Sequence, residues 1–298
     1  MSMTIDFPAW LQATQAQAEA AVERYLPTES TGQETLHEAM SYVSVGGGKR
    51  FRPLLAAAAA RLGAADADAL SAAMAAIEYV HVYSLVHDDM PEMDNDSMRR
   101  GKPTCHIQYD QSTALLVGDA LQTLAFDVLS RPVNLPAMQQ LKRVQVLARA
   151  SGSLGMAGGQ GIDLANVGKD LTLEQLQHMH SLKTGALIRA AVALGGLSCA
   201  DVSETLLNAL DVYADKLGLA FQVIDDVLDC EQDSATLGKT AGKDEEANKP
   251  TYVKLLGLEP ARAQAIALAQ EAKAAVASYG EAADALLGLA DYVIQRNH

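Results

Sequence analysis

The chain has 298 residues, of which 49% are hydrophobic and only 5% aromatic, and its formal net charge is −14. That length and apolar content allow a substantial buried core. The acidic balance excludes a general nucleic-acid binder, which needs a basic face, and argues against an anionic membrane surface as the main partner.

Abundant alanine and short β-branched runs favour helices over sheets. Periodicity and turn signals predict helices over roughly 8–26, 33–44, 52–62, 67–90, 112–130, 136–149, 151–165, 172–195, 202–230, 259–278 and 281–296. The opening stretch, MSMTIDFPAWLQ, has no basic flank before an apolar core, so no secretory signal is read there. After the second helix, GGGKRFRP at 46–53 sets Lys49, Arg50 and Arg52 behind a glycine run. It is not a Walker loop, which needs GxxxxGK[ST] after a strand, and by itself it reads as a surface turn with cations.

The fourth helix carries the apolar run IEYVHVYSLVH at 77–87 straight into DDMPEMDNDSMRRGKPT at 88–104. Carboxylates at a helix C-terminus meet an unfavourable dipole. Pro91 should end or kink the helix there, and the resulting turn lets Asp94 swing back toward Asp88. Arg99, Arg100 and Lys102 follow at once.

Further along, Thr172 to Gln175 forms a capping box, and HSLKTGALI adds Lys183 and Thr184. KLGLAFQVIDDVLD at 216–229 is apolar nearly all round, which marks a buried helix. Yet it carries Asp225, Asp226 and Asp229, with 225 and 229 one turn apart on one face. An uncompensated buried carboxylate is costly, and a divalent cation with hard oxygen ligands, Mg²⁺, is the obvious compensation. The polar stretch 231–250 reads as a long loop and holds Lys239.

Cys105, Cys199 and Cys230 are too scattered for a disulfide framework or a zinc site and suit a reducing cytosol. No uninterrupted apolar stretch reaches the ~20 residues of a spanning helix. No linker or low-complexity tract interrupts the pattern, so the expectation is one all-α domain over 1–298, cytoplasmic. Magnesium shares its shell with water and phosphate oxygens, so two acidic clusters beside several cations point to a phosphate or diphosphate guest.

These pieces, taken together and in this order, resemble the trans-isoprenyl diphosphate synthases of the bacterial farnesyl type. The matching segments are GGGKRFRP, DDMPEMD with its trailing RRGKPT, KTGALI, FQVIDDVLD with the following GK loop, and ADYVIQRNH near the end. Ser97 departs from relatives that have a further Asp there; no loss is expected, because 88 and 94 carry the metal role in this pattern.

The resemblance implies a bundle of mostly antiparallel helices around a deep central cavity, in a homodimer. It implies condensation of dimethylallyl and then geranyl diphosphate with isopentenyl diphosphate, giving farnesyl diphosphate and pyrophosphate. Asp88, Asp94 and Asp225 would hold three Mg²⁺ ions, with Mn²⁺ as a possible substitute. Arg99, Lys183 and Lys239 would grip the allylic diphosphate, while Gly48, Lys49, Arg52, His81 and Arg100 would hold isopentenyl diphosphate. Thr184 and Gln222 would face the allylic cation beside Lys183. Tyr83, one and a half turns before Asp88, would close the product slot.

A histidine on an apolar helix is more often a satisfied core residue, and only the motif moves His81 out of that class; His87, His178 and His180 stay in it. The same chemistry could stop at geranyl or continue to geranylgeranyl diphosphate. More distant alternatives are a metal phosphohydrolase built on His87-Asp88 with His178 and His180, and a non-catalytic helical regulatory subunit.

Overall fold

Alanine-rich, amphipathic segments become helix through most of the computed structural model, which describes residues 4–28, 31–236 and 251–296. The first seven helices are α1 (Phe7–Tyr25), α2 (Glu34–Ser44), α3 (Phe51–Ala60), α4 (Ala67–Asp88), α5 (Cys105–Gln108), α6 (Gln111–Ser130) and α7 (Ala137–Ser151). There follow α8 (Met156–Ala165), α9 (Leu173–His180), α10 (Ala186–Gly196), α11 (Glu204–Thr236), α12 (Tyr252–Leu256), α13 (Leu258–Val276) and α14 (Asp284–Gln295). Side-chain caps set several starts: Asp66 accepts from the Ala69 amide at 2.8 Å, Asp110 from Thr113 at 2.7 Å, and Thr172 and Gln175 form the expected capping box.

By its internal contacts the chain divides into two compact units. One comprises Asp6–Leu147 with Leu194–Asp201; the other comprises Ala148–Ala193 with the described parts of Met1–Ile5 and Val202–His298. The expectation of one domain rested on the absence of a linker, and none marks this division: it falls inside α7 and α10.

In the first unit α4 packs against α1, α3 and α6. All of α3 except Arg52 is buried, because a face of consecutive alanines lets helices approach closely. Tyr79 donates its hydroxyl to the Val22 carbonyl at 2.6 Å, which satisfies the one polar atom of a fully buried ring. α4 and α6 are long and apolar enough to cross a bilayer by length and composition alone; α4 is instead mostly buried within its unit. In the second unit α11 packs along α13 and against α14, where Tyr213 donates to the Leu286 carbonyl at 2.7 Å.

The short helices α5 and α12 were not expected, and three further features differ from the sequence reading. The helix expected over 172–195 is interrupted by a π-turn at Ser181–Gly185, between α9 and α10. The polar stretch 231–250 begins as helix, since α11 runs to Thr236; the rest of it, with Lys239, lies outside the described residues. A two-stranded hairpin, β1 (Met98–Arg99) with β2 (Lys102–Pro103), occupies a stretch where no strand was expected. Its turn residues Arg100 and Gly101 both have positive φ, 52° and 74°, the conformation a two-residue hairpin turn requires.

Candidate active site

In the first unit, the end of α4 and the hairpin assemble the first acidic motif. After Pro91 the chain folds back, and the Asp94 amide donates to the Asp88 carbonyl at 2.8 Å. The expected return of Asp94 toward Asp88 is therefore present, made by a backbone bond. Asp89 takes a different path. It is 3% exposed, and Arg99 grips it through Nε at 2.7 and 2.8 Å and through a terminal nitrogen at 2.6 Å. Burial pushes the Asp89 carboxyl above its usual range despite that pairing. Asp88 and Asp96 lie close enough to add to the field that holds Arg99 protonated.

Basic residues meet a few turns earlier on the same helix. Arg50, 3% exposed and left-handed at φ 51°, is clamped by Glu19 at 2.6 Å, by Glu78 at 2.7 Å and by the Ser44 carbonyl at 2.5 Å. Of the cations in GGGKRFRP, Arg50 is therefore a structural strut for the glycine loop. Arg100 lies across that loop and donates to the Gly47 carbonyl at 3.2 Å, 4.0 Å from Glu78. A Cβ on Gly48 would stand 2.7 Å from the Arg100 guanidinium carbon and push that side chain aside, and the φ of 85° at Gly48 favours glycine.

Burial, and then the charges of Arg52, Arg100, Arg99 and Arg50, push His81 well below its ordinary pKa. Both effects favour the neutral ring. Gly48, Arg52, His81 and Arg100 thus come together as expected. The backbone carbonyl of Lys49 accepts from Gln15 at 3.3 Å. Tyr83 is 7% exposed, edge-on to His87 at 5.9 Å and hydrogen-bonded to Gln122.

In the second unit the expected pair Thr184 and Gln222, 38 positions apart, are in contact: the Thr184 hydroxyl donates to Gln222 Oε1 at 3.2 Å. Gln222 Nε2 in turn donates to Asp226 at 3.1 Å, and Asp226 accepts the Tyr252 amide at 2.7 Å. This chain fixes which end of the Gln222 amide faces Thr184. Asp226, 8% exposed, is the buried carboxylate of the second motif, and burial raises its pKa. Asp225 is half-buried and accepts from Arg296 at 2.5 Å. Asp229 is exposed. Lys183 sits on the π-turn with its Nζ 2.6 Å from Asp163.

The sequence reading missed Asp89, Glu78, Asp163, Asp226 and Arg296 as partners of the residues it chose. A signal existed for Glu78, a lone carboxylate inside the apolar run of α4, and for Asp163, which follows the glycine-rich GGQG of α8.

His87 faces the Leu115 carbonyl at 3.1 Å, and His178 is exposed. His180 stacks on Tyr252 at 5.8 Å; burial pushes it down to about 4, with Asp163 opposing and Lys183 adding. Among the described residues, no three His, Cys, Asp or Glu side chains form a metal cage. Half-exposed Asp88 beside the returning Asp94, and half-buried Asp225, are hard oxygen donors of the kind Mg²⁺ takes one or two at a time, completing its shell with water and phosphate.

An all-helical enzyme fold with paired acidic motifs and flanking cations matches the polyprenyl synthetase family model over residues 33–286. The chain belongs to that family. It is 46% identical to the farnesyl diphosphate synthase of Escherichia coli (strain K12), over 98% of this chain and 100% of that protein. It is 45% identical to the farnesyl diphosphate synthase of Haemophilus influenzae, over 86% of this chain and 88% of that one. The crystal structure of an FPP/GFPP synthase from Zymomonas mobilis superposes with a TM-score of 0.88 at 39% identity, covering 98% of this chain and 100% of that one.

Proposed function

We propose that this protein is a farnesyl diphosphate synthase, joining an allylic diphosphate head to tail with isopentenyl diphosphate and releasing pyrophosphate. The observation that carries the reading is the Thr184–Gln222–Asp226 chain, which orients two neutral dipoles beside Lys183. Such preorganised dipoles suit a developing carbocation, which a charged base would quench. The arginine cluster around neutral His81 supports a second anionic site.

In this reading Arg100, Arg52, Lys49 and the Gly48 backbone hold isopentenyl diphosphate, with His81 donating as a neutral imidazole. Lys183 and Arg99 hold the allylic diphosphate, and Lys239 is assigned the same role. Asp88, Asp94 and Asp225 are the residues that would hold magnesium, three ions per site. When bound, the ions supply Lewis-acid neutralisation of the leaving diphosphate. The proton lost after the new bond forms goes to the departing pyrophosphate, so no side-chain base is assigned. Cytoplasmic location and a homodimer belong to the same proposal.

Incubation with isopentenyl and labelled dimethylallyl diphosphate and Mg²⁺, with chain-length analysis of the dephosphorylated products, tests it. C15 product is expected, and pyrophosphate release only when both substrates are present. Release from either substrate alone would favour a phosphohydrolase. In the same assay Tyr83→Ala reads the product slot: its place about 7.5 Å below Asp88 along α4 makes C20 or longer products the expected outcome. A folded, active Tyr83→Ala enzyme making only C15 product would reduce Tyr83 to a core residue.

A further inference from the structure

A lysine alone is hard to aim: it is a point charge on four methylenes with much rotamer entropy to lose. Lys183 is nevertheless held at one place. Its Nζ lies 2.6 Å from Asp163 Oδ2, and the two side chains are 28% and 17% exposed, shielded on most sides. The backbone enforces this meeting. A Cβ at Gly159 would stand 2.6 Å from the Lys183 Cα, so α8 and the π-turn touch main chain to main chain, a crossing open only to glycine. Asp163 follows Gly159 by four residues and lies on the same face of α8. The close crossing therefore delivers the carboxylate to the ammonium. The π-turn adds to the arrangement, since an i→i+5 widening shifts the side chains that follow it and such turns recur at functional sites. Of the three ammonium donors Asp163 takes one, which leaves two aimed elsewhere.

We infer that Asp163 is a positioning residue for prenyl transfer, fixing Lys183 so that its ammonium meets the allylic diphosphate in a single orientation. The inference rests on the proposal that Lys183 binds that diphosphate. Without Asp163 the charge remains and its direction is lost, so allylic binding weakens and isopentenyl binding does not.

Steady-state kinetics of Asp163→Asn, Lys183→Ala and the double variant, with KM measured separately for each substrate, test this. The allylic KM is expected to rise about tenfold in Asp163→Asn, the scale of one charge-assisted hydrogen bond, while the isopentenyl KM moves less than about twofold. The double variant should be no worse than Lys183→Ala, because both changes remove one interaction. Asp163→Glu should recover much of the allylic KM, whereas a purely structural role makes the larger side chain worse than Asn. If Asp163→Asn does not fold, Asp163→Ser is measured for the same pattern. Equal rises in both KM values, multiplicative losses in the double variant, or unchanged kinetics each overturn the assignment. A wild-type enzyme that makes no prenyl product refutes the prenyl-transfer reading instead, an outcome separate from any variant pattern.

Discussion

Both acidic motifs contain a doubled aspartate, and both pairs divide in the same way. Asp88 and Asp225 are partly accessible, whereas Asp89 and Asp226 are 3% and 8% exposed. The buried members differ in what satisfies them. Asp89 is answered by a full charge, the Arg99 guanidinium, and Asp226 by two neutral donors, the Tyr252 amide and Gln222 Nε2. The argument that a buried carboxylate calls for a cation thus applies to the second aspartate of each pair, and protein groups meet the need there. The first aspartate of each pair is the more accessible one, and it is the one to which the proposal assigns the metal–diphosphate ligand, Asp225 from its pair with Arg296.

The largest effect should come from the accessible members. Asp88→Ala and Asp225→Ala are each expected to lower turnover by at least ~10²-fold at saturating Mg²⁺, the scale of one preorganised electrostatic element; Asp225→Ala also strands the buried Arg296 guanidinium and should lower stability as well. Near-normal turnover in either variant would break the comparison.

The buried members should show the reverse order, stability before chemistry. Asp89→Asn strands a partly buried guanidinium and is expected to cost about 3 kcal/mol in denaturant unfolding. Asp226→Asn offers one acceptor to two donors and should cost about 1–2 kcal/mol. A larger penalty for Asp226→Asn than for Asp89→Asn would reverse the distinction between charged and neutral compensation.

The smallest effect sharpens the contrast between neighbouring histidines. His180 is held down to about 4 mainly by burial, below the ordinary 6.5 of an exposed ring. The unfolded chain therefore takes up the proton first, and stability is lost as pH falls from about 6.5 toward 4. At pH 5.5 the loss should be about 1.2 kcal/mol relative to pH 7. His180→Phe, which keeps the stacking on Tyr252, should flatten that dependence. An unchanged slope in the variant would mean that other groups carry it.

Much of this was legible in the sequence, for identifiable reasons. Long periodic segments with strong caps appear where capping and amphipathicity act locally: α4 after Asp66 lies close to its expected limits, and α9 starts where the Thr172 capping box places it. The return of Asp94 followed from Pro91, again a local rule. The π-turn was not legible, since it widens the helical repeat while the chain stays helical on both sides, and the lone Gly185 within it is a residue that helices tolerate. Nor was the hairpin, whose turn uses Arg100 in place of the usual Asn or Gly. Which aspartate of each pair is buried also escaped the reading. Adjacent residues differ by 100° around a helix, and only the packed neighbours decide which one faces inward.

Arg100 carries a consequence for how this protein can be improved or can drift. It holds a left-handed backbone conformation that favours glycine, a strain on the order of 1 kcal/mol for a residue with a Cβ. It does so to lay its guanidinium over Gly47 and Gly48. Arg100→Gly would relax the turn and complete an ordinary two-glycine hairpin. Selection for heat resistance alone would therefore drift toward glycine at 100 and discard a proposed substrate contact with no warning from the melting curve. Any stabilisation campaign on this chain has to score turnover in every round, because at this position robustness and usefulness point in opposite directions.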